Sequence, residues 1–526
     1  MSVQFYINMI MINDSKEGVI MIDNISASKH SFIIQAQNEA ETISKVITEV
    51  KKLNPYEVIV VVNGSTDQTS KIAKSMGCKL LEYQEPLGIN LGKAIGAYYA
   101  TGDILVFLDG DIVIPSNRLH SFVKSIQEGH DIALNDLNWA MRGRNKPDPT
   151  SLAKKALNIF LGREDLGINA LGGIPNALSR KAVEIIGWWN LVDPPLSQTI
   201  GILQNQSISS PVSVDVIRPN KARKQHITKA ANSPFAKSTS RIIGDHLQAI
   251  HRLVEHKGKR GGYVDVRQRS VIANLEVPDK RKSVKRSAVV SLDHGSNQLS
   301  SIINILMKMN VEEVIIVGSK AQLSSFHFKE KNIKIVPLQN SLGSYTSRLV
   351  GLLHSSAETT LFVDGHSVLT EEDLLPFYEA IERDKIDIAL NNKGFLKDKT
   401  FPIDQKSTIQ YFLNTAMKRP DLLNHSLMNT PYAVKRQVIE KVDVQAWMIP
   451  PLAYVNAVLQ GFKIKAVHTV KGSSNVLDGA DSMEVFLGDH IEAIHHYIKN
   501  TNERGNFTDG GKNRELIESM KKGEPK

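Results

Sequence analysis

Two stretches of the chain align with each other without a gap: LGINLGKAIGAYYATGDILVFLDGDIVI at residues 87–114 and LGSYTSRLVGLLHSSAETTLFVDGHSVL at residues 342–369. Their offset is 255 residues, and shorter matches on either side recur at an offset of 256. Towards the ends, GDHLQAIH from Gly244 matches GDHIEAIH from Gly488 at an offset of 244, which indicates a deletion in the second copy. Collinear matches at a nearly constant offset are typical of an internal duplication, so we expect two copies of one domain.

Within each copy, short apolar runs alternate with segments of helical spacing. In the first copy the apolar runs at 31–35, 57–62 and 104–108 have the length of strands, whereas 41–53 and 91–100 have helical periodicity. Nearly continuous apolar strands that alternate with helices predict a mostly parallel sheet covered by helices on both faces. The predicted fold class is therefore α/β, with two tandem Rossmann-like domains.

The duplication also sets the expected domain limits. Residues 1–28 are an N-terminal extension, and 29–275 are the first copy. The basic stretch 276–286 is predicted to be a linker, 287–515 the second copy, and 516–526 a flexible tail.

Composition narrows the classes of protein to consider. With 526 residues, of which 41% are hydrophobic and 23% charged, the chain is typical of folded proteins with more than one domain. Its single cysteine, Cys78, excludes an intramolecular disulfide. The longest apolar runs are far shorter than the roughly 20 residues of a membrane-spanning helix, and the start lacks the basic residues and cleavage site of a signal peptide. We therefore expect a cytoplasmic protein without a transmembrane segment.

The formal net charge is +9, and basic residues concentrate at 218–229 and 257–286. Such stretches are either solvated loops or surfaces that attract nucleotide phosphates, an acidic acceptor or, in a peripheral contact, a membrane surface. Neither stretch interleaves aromatic side chains in a way that suggests stacking on bases, so nucleic acid is not an expected partner.

Polar side chains follow three of the predicted strands, at 35–39, 63–67 and 109–111. Because the carboxyl ends of parallel strands meet at one edge of a sheet, we expect these groups to line one crevice. There Asp109 and Asp111 could face a shared divalent cation, Mn²⁺ or Mg²⁺, and Gly110 would permit a tight approach. Acidic turns with glycine also occur without a metal, so this motif indicates a metal site only together with the neighbouring motifs.

The order of three motifs, QAQNEAETI, VVVNGSTDQT and LGKAIGAYYATGDILVFLDGD, resembles the family 2 glycosyltransferases, which have the GT-A fold. The resemblance covers residues 29–200 and implies transfer of a sugar from a nucleotide-sugar donor. It also implies that Asp111 is the main metal ligand, with Asp109 near the metal or the ribose. The donor-binding residues implied are Gln35, Gln37, Glu39, Asn63, Ser65, Asp67, Lys93, Asp109, Gly110 and Trp188.

Two departures from the family pattern leave the nucleotide open. Gln35 stands where the family usually has proline, and Asn63 stands where an aspartate usually reads uracil. An amide both donates and accepts hydrogen bonds, so a base other than uracil is compatible with Asn63. The Gln-x-x-Arg-Trp motif of processive relatives does not occur in the sequence, so we expect a single sugar transfer per encounter.

An inverting transferase needs a carboxylate base that deprotonates the acceptor hydroxyl. By resemblance, the segment GGIPNALSRKAVEIIGWWNLVDPPLSQTIGIL makes Asp193 the candidate base, and Asp193 and Asp111 are the predicted catalytic residues. Asp193 could instead cap the helix that begins at Pro194. Trp188 could stack on a sugar or fill the core. Two alternatives stay open: a retaining transferase in which Asp193 positions the acceptor, and a non-catalytic scaffold that binds nucleotide or glycan.

The second copy serves as an internal control. Five positions with predicted roles differ there, while Asp109 persists as Asp364. This contrast predicts one active site, in the first copy, and a non-catalytic second copy that serves acceptor recognition, homodimerisation or stability. The acceptor is a glycan, a lipid-linked molecule or a small molecule. The replaced residues are Asp111, Asn63, Glu39, Lys93 and Asp193, which become His366, Ser319, Gly295, Arg348 and Ile449.

Several histidines and acids in the matched GDH segments could be mistaken for metal ligands. Asp245 and His246 recur as Asp489 and His490 in the copy that lacks the other predicted chemistry. We therefore predict a shared structural role for these residues. His226 has no counterpart and could be a third metal ligand or a phosphate contact.

Overall fold

A computed structural model describes residues 28–142, 148–220, 224–267, 269–270, 283–293, 295–338, 345–392, 403–470 and 480–523. The first copy contains strands β1 (His30–Ala36), β2 (Glu57–Asn63), β3 (Lys79–Tyr83), β4 (Ile104–Asp109), β5 (Ile132–Asn135), β6 (Asn176–Ser179) and β7 (Ile208–Val212). Its helices are α1 (Ile43–Lys51), α2 (Thr69–Ser75), α3 (Leu91–Tyr99), α4 (Ser116–Gln127), α5 (Pro149–Phe160), α6 (Arg180–Ile186), α7 (Pro194–Leu203), α8 (Lys224–Ile227) and α9 (Lys237–Lys257).

The second copy repeats this order of elements. Its strands are β8 (Val284–Ser291), β9 (Glu313–Ser319), β10 (Ile333–Leu338), β11 (Ala357–Asp364), β12 (Ile388–Asn391), β13 (Tyr432–Lys435) and β14 (Ile464–His468). Its helices are α10 (Leu299–Lys308), α11 (Lys320–Leu323), α12 (Thr346–His354), α13 (Glu371–Glu382), α14 (Gln405–Ala416), α15 (Arg436–Lys441), α16 (Pro450–Leu459), α17 (Ala480–Lys499) and α18 (Arg514–Lys521).

Each copy forms a seven-stranded sheet, and the two sheets have the same topology. The strand orders are β3-β2-β1-β4-β6-β5-β7 and β10-β9-β8-β11-β13-β12-β14. β1 pairs in parallel with β2 and β4, whereas β6 runs antiparallel to β4 and β5. The central apolar runs are buried on both faces because helices cover both sides. The α/β class and the tandem duplication are confirmed.

A glycine in the same helix of each copy explains how closely that helix lies on its sheet. A Cβ added at Gly96 of α3 would lie 2.2 Å from Cγ2 of Ile33 on β1. The counterpart Gly351 of α12 would meet Cγ1 of Val289 on β8 at 2.3 Å. Both helices therefore approach their sheet at a distance that excludes a side chain at this position.

The two copies pack through matching helices. α5 lies against α14 and α9 against α17, and the rings of Phe160 and Phe412 are 6.5 Å apart between the first pair. Buried side chains from both copies form one hydrophobic cluster at this junction. Because each helix meets its own counterpart, the junction resembles the two-fold interface of a homodimer.

The GDH segments lie in this junction, and their ion pairs are reciprocal. Arg504 pairs with Asp245 at 2.8 Å, and Arg260 pairs with Asp489 at 2.7 Å. The glycine before each aspartate makes room for the arginine of the other copy, since an added Cβ at Gly488 would lie 2.4 Å from the Arg260 guanidinium. The matched glycine and aspartate therefore have a shared structural role.

The histidines of these segments also behave alike in both copies. His246 Nδ1 lies 2.7 Å from the carbonyl oxygen of Ile242, and His490 Nδ1 lies 2.8 Å from that of Phe486. Burial lowers the pKa of both histidines to about 4, so each is neutral at pH 7 and donates from Nδ1 within its own helix. This geometry supports the structural interpretation.

The end of the chain differs from the sequence-based expectation. Instead of a flexible tail at 516–526, residues up to 521 continue helix α18, whose Leu516 and Ile517 are buried in a core cluster of the first copy. β8 begins at Val284, within the last residues of the predicted linker 276–286. Residues 271–282 and 1–27 lie outside the described residues. Among the described helices, none combines the length and the apolar composition needed to cross a bilayer.

Candidate active site

The carboxyl ends of β1 and β4 bring Gln35 and Asp109 together. The two residues are paired in register, and Gln35 Nε2 donates a hydrogen bond of 2.5 Å to Asp109 Oδ1. The N–H of Gly110 donates to the carbonyl oxygen of Gln35 at 2.9 Å, and the hydroxyl of Thr42 donates to the Gly110 oxygen at 2.8 Å. The turn that carries Asp111 is therefore held against the start of α1, and both carboxylates are half-buried.

Lys93 approaches the same place from the first turn of α3. Its side chain is buried, and its Nζ lies 3.5 Å from the carbonyl oxygen of Leu171. Burial lowers the pKa of Lys93, and the charge of Asp109 opposes that shift. A small cavity beside the ammonium is lined by Lys93, Phe107, Leu171, Asn176, Leu191 and Pro194.

Asn63, at the end of β2, binds the turn that precedes α3. Its Nδ2 donates to the carbonyl oxygen of Gly88 at 3.0 Å, and its Oδ1 accepts from the N–H of Leu87 at 2.5 Å. An asparagine side chain has a second N–H and a second lone pair, which leaves one of each for a base. The structure therefore adds a positioning role for Asn63 to the base contact predicted from the sequence.

Ser65 and Asp67 connect the loop after β2 to the loop after β1. The N–H of Asn38 donates to Ser65 Oγ at 3.0 Å, and the N–H of Ala40 donates to Asp67 Oδ2 at 3.0 Å. Although burial opposes it, hydrogen bonds from Thr69 and Ala40 lower the pKa of Asp67. These contacts shape the crevice wall.

Two further predicted donor residues differ in exposure. Gln37 is exposed in the loop after β1, whereas Glu39 is 4% exposed and its N–H donates to Thr69 Oγ1 at 2.8 Å. Both lie on the β1 side of the crevice. The exposed Gln37 side chain is accessible to a ligand in a way that Glu39 is not.

The structure does not bring Trp188 to the crevice. Trp188 packs on Tyr98 and Trp189, with ring centroids 4.8 and 5.8 Å apart. Tyr98 lies near the carboxyl end of α3, whereas Lys93 and the crevice lie near its amino end. Trp188 thus belongs to an aromatic cluster near the other end of α3, and of the two roles that the sequence left open its contacts favour packing.

Asp193, the predicted base, is bound on both oxygens by side chains from the end of the chain. Lys512 Nζ lies 2.5 Å from Asp193 Oδ1, and Arg514 donates to Oδ2 at 2.7 Å and to Oδ1 at 3.0 Å. The Asp193 side chain is 3% exposed and makes no capping bond to α7. Neither the free base nor the helix cap expected from the sequence describes this arrangement.

The electrostatic state of Asp193 follows from these contacts. Burial alone would raise the pKa of its carboxyl, but the hydrogen bonds from Arg514 and the charges of Lys512 and Arg514 outweigh it and hold that pKa below the ordinary value. A carboxylate held in this way is a weak proton acceptor.

Comparison with known families identifies the family of the chain. The model of glycosyl transferase family 2 matches residues 31–171 and 299–442, which is one region in each copy and more than half of the chain. The chain belongs to glycosyl transferase family 2. Its two domains are therefore tandem GT-A-like domains, as the motifs predicted.

Individual relatives of this family 2 chain match over shorter stretches. The dolichyl-phosphate hexose transferase of Haloferax volcanii is 28% identical over 105 residues, which are 20% of this chain and 46% of that protein. The dolichol-phosphate mannosyltransferase of Pyrococcus furiosus is 28% identical over 114 residues, 20% of this chain and 32% of that protein. The chain thus spans less than half the length of these relatives.

A solved structure is also similar to the family 2 chain. It is the glucosyl-3-phosphoglycerate synthase of Mycobacterium tuberculosis in complex with Mn²⁺, uridine diphosphate and glucosyl-3-phosphoglycerate. The match has 19% identity and a TM-score of 0.32, and it covers 46% of this chain and 82% of that one.

In the second family 2 domain, the counterparts of Lys93 and Asp109 bind each other. Arg348, which replaces Lys93, donates to Asp364 Oδ1 at 3.2 Å and to the carbonyl oxygen of Leu427 at 3.2 Å. Thr430 donates to Asp364 Oδ2 at 2.7 Å. Asp364, the counterpart of Asp109, is thereby used in an internal ion pair.

Lys512 and Arg514 are the site residues that the sequence analysis missed. They lie 319 and 321 residues from Asp193, so no local pattern connects them. The signal in the sequence was the match of Arg260, Gly261 and Asp265 with Arg504, Gly505 and Asp509 at the offset of 244, which extends the duplication beyond the GDH segments. Among the described residues, Asp193, Asp245 and Asp509 form a group with metal-like spacing, but Lys512 Nζ already lies within 3.4 Å of an oxygen of each.

Proposed function

We propose that the first copy is a metal-dependent glycosyltransferase that moves one sugar from a nucleotide-sugar donor to an acceptor hydroxyl. The observation that carries the proposal is the contact of Gln35 with Asp109 at the carboxyl edge of the sheet, beside the turn of Asp111 and the buried Lys93. Carboxylates and an ammonium in one crevice suit a ligand that combines a cation with a diphosphate. Family membership supports the reaction class.

The donor set supports a divalent cation at this crevice. Asp109 and Asp111 offer half-buried carboxylate oxygens one residue apart, and Mn²⁺ and Mg²⁺ both prefer oxygen ligands. Asp109 Oδ1 is shared with the amide of Gln35, so we assign Asp111 as the principal ligand and Asp109 as the second. When bound, the cation would neutralise negative charge on the leaving diphosphate.

The contacts of Asp193 bear on the stereochemistry. Inversion with Asp193 as the base requires a free carboxylate oxygen, whereas Lys512 and Arg514 occupy both. This observation favours the alternative in which Asp193 positions groups and takes no proton, as in a retaining transferase. The anomeric configuration of the product, measured by NMR, separates the two. An inverted product, with Asp193→Asn inactive, would restore the base assignment.

Donor binding and turnover test the proposed function directly. A panel of nucleotide sugars, including UDP-glucose and GDP-mannose, is screened with Mn²⁺ by thermal shift, because selective binding raises the melting temperature. Hydrolysis of the best donor is then measured for the wild type and for Asp111→Ala. We expect Asp111→Ala to lose at least about a hundredfold in rate, as does removal of other groups that stabilise transition-state charge.

The matched control is His366→Ala, which changes the position in the second copy that is equivalent to Asp111. We expect it to keep wild-type hydrolysis. If the wild type binds no donor in the presence of Mn²⁺, the proposal is wrong and a non-catalytic scaffold becomes the better description. Acceptors are then screened among glycans, small molecules and lipid-linked phosphates, the last class being supported by the names of the two archaeal relatives.

A further inference from the structure

The last part of the second copy lies on the first copy. Helix α17 packs within the second copy against α14 and α16, but residues 504–521, here called the C-terminal strap, leave it and cross to the first copy. The strap ends in α18, whose Leu516 shares a core cluster with Leu87 of the first copy. The first copy thus has a wall that its own sequence does not supply.

One arm of the strap supports the turn that Asn63 binds. The N–H of Asn513 donates to the carbonyl oxygen of Leu87 at 2.8 Å, while the N–H of Leu87 donates to Asn63 Oδ1. Gly88 has a φ of +91°, and a Cβ there would lie 2.7 Å from the carbonyl oxygen of Gly511. The strap therefore packs directly on the backbone that holds Asn63.

The other arm holds Asp193. Lys512 and Arg514 contribute three hydrogen bonds of 2.5 to 3.0 Å to its two oxygens. The Lys512 side chain is fully buried, and it also pairs with Asp245 at 2.9 Å and Asp509 at 3.4 Å. A buried ammonium that meets three carboxylates is expensive to displace, so this arm is a fixed support and not a mobile gate.

The second copy shows which of these contacts are architectural. There residues 258–267 of the first copy play the corresponding part, and Arg267 pairs with Asp489 as Lys512 pairs with Asp245. At the position of Asp193, however, Ile449 has no polar side chain, and Arg267 donates instead to the neighbouring carbonyl oxygen of Met448 at 2.9 Å. The contact with a carboxylate at this position therefore occurs only in the copy that retains both Asp109 and Asp111.

We propose that the second copy positions the active site of the first copy through the C-terminal strap. Lys512 and Arg514 fix the Asp193 carboxylate, and Asn513 fixes the turn that holds Asn63. This inference rests on the proposed function of the first copy, and it gives the second copy a purpose that does not require chemistry of its own.

The first arm of the test is Arg514→Gln, with Arg269→Gln as the matched control. Arg269 makes a comparable bidentate pair of hydrogen bonds to Glu492 on the other side of the junction. The exposed fraction of its side chain, 29%, is similar to the 40% of Arg514. Hydrolysis of the best donor with Mn²⁺ is measured across pH. We expect Arg514→Gln to lower kcat about tenfold with a smaller change in KM, since a charge-assisted bidentate bond is lost.

The pH profile separates positioning from a merely structural role. The charged groups that face Asp193 are Arg514, Lys512, Asp245 and Asp509. Because loss of the Arg514 charge raises the pKa of Asp193, we expect the acid limb of kcat to move to higher pH. Arg514→Lys keeps the charge and restores part of the rate, whereas Arg269→Gln changes neither the rate nor the limb.

The second arm tests the turn that holds Asn63. Leu516→Ala loosens α18, and we expect it to weaken binding of the best donor about fivefold, while Glu518→Ala on the exposed face of α18 leaves the affinity unchanged. The inference would be overturned if Arg514→Gln and Arg269→Gln had the same kcat and the same acid limb, and Leu516→Ala bound the donor as the wild type does. This result would leave the proposed function intact. Absence of donor binding by the wild type would instead overturn the proposed function, and the inference with it.

Discussion

Replacing Leu516 by alanine tests whether α18 is a docked part of the first copy. Leu516 is 7% exposed and shares a core cluster with Leu87 and Leu91. Truncation of a buried leucine costs about 2–5 kcal/mol. Because α18 lies at the end of the chain and can shift to close part of the gap, we expect the lower end, about 2 kcal/mol.

The assay is amide hydrogen exchange of the C-terminal strap. A loss of about 2 kcal/mol raises the population of the open form about 30-fold, since 1.4 kcal/mol is a factor of ten. The amides of 514–521 should therefore exchange about 30-fold faster in Leu516→Ala, while those of β1 stay as in the wild type. Glu518→Ala is the control, because Glu518 is exposed. The docked helix would be refuted if the amides of 514–521 exchanged at the same rate in Leu516→Ala as in the wild type.

Two further predictions concern stability. Although burial opposes it, hydrogen bonds from Arg269 and Lys259 lower the pKa of Glu492 to about 2 from an ordinary 4.5. A lowered pKa contributes stability above the unfolded value, so the melting temperature should fall as the pH drops from 4.5 towards 2, and Glu492→Gln should remove part of that dependence. Equal pH dependence of the two proteins would contradict this. Gly96→Ala places a Cβ 2.2 Å from Ile33 and should destabilise by about 1–3 kcal/mol in thermal unfolding. The control Gly172→Ala has its nearest neighbour at 3.9 Å and should be close to neutral.

Local patterns of apolar residues were enough to predict much of the fold. Strand-length apolar runs and helical periodicity predicted the elements around β1, β2 and β4, because the face that a side chain buries depends on the repeat of its own segment. The same patterns predicted that the strand ends would meet, and Gln35 does lie beside Asp109. They left open whether Trp188 stacks on a sugar or fills the core, since the packing of a 3-10 turn on α3 depends on the approach of elements distant in sequence.

The sequence by itself determined that the chain is a duplication and that only the first copy retains both Asp109 and Asp111. Both conclusions follow from matches and mismatches between the aligned residues of the two copies. Only the tertiary structure decided that each copy sends a segment to the other. The contact of Lys512 with Asp193 spans 319 residues, and charged side chains of such separation carry no periodicity that would relate them. Their meeting depends on the packing of the two copies against each other, which includes the contact of α9 with α17. The predicted base thereby became a carboxylate held by the second copy.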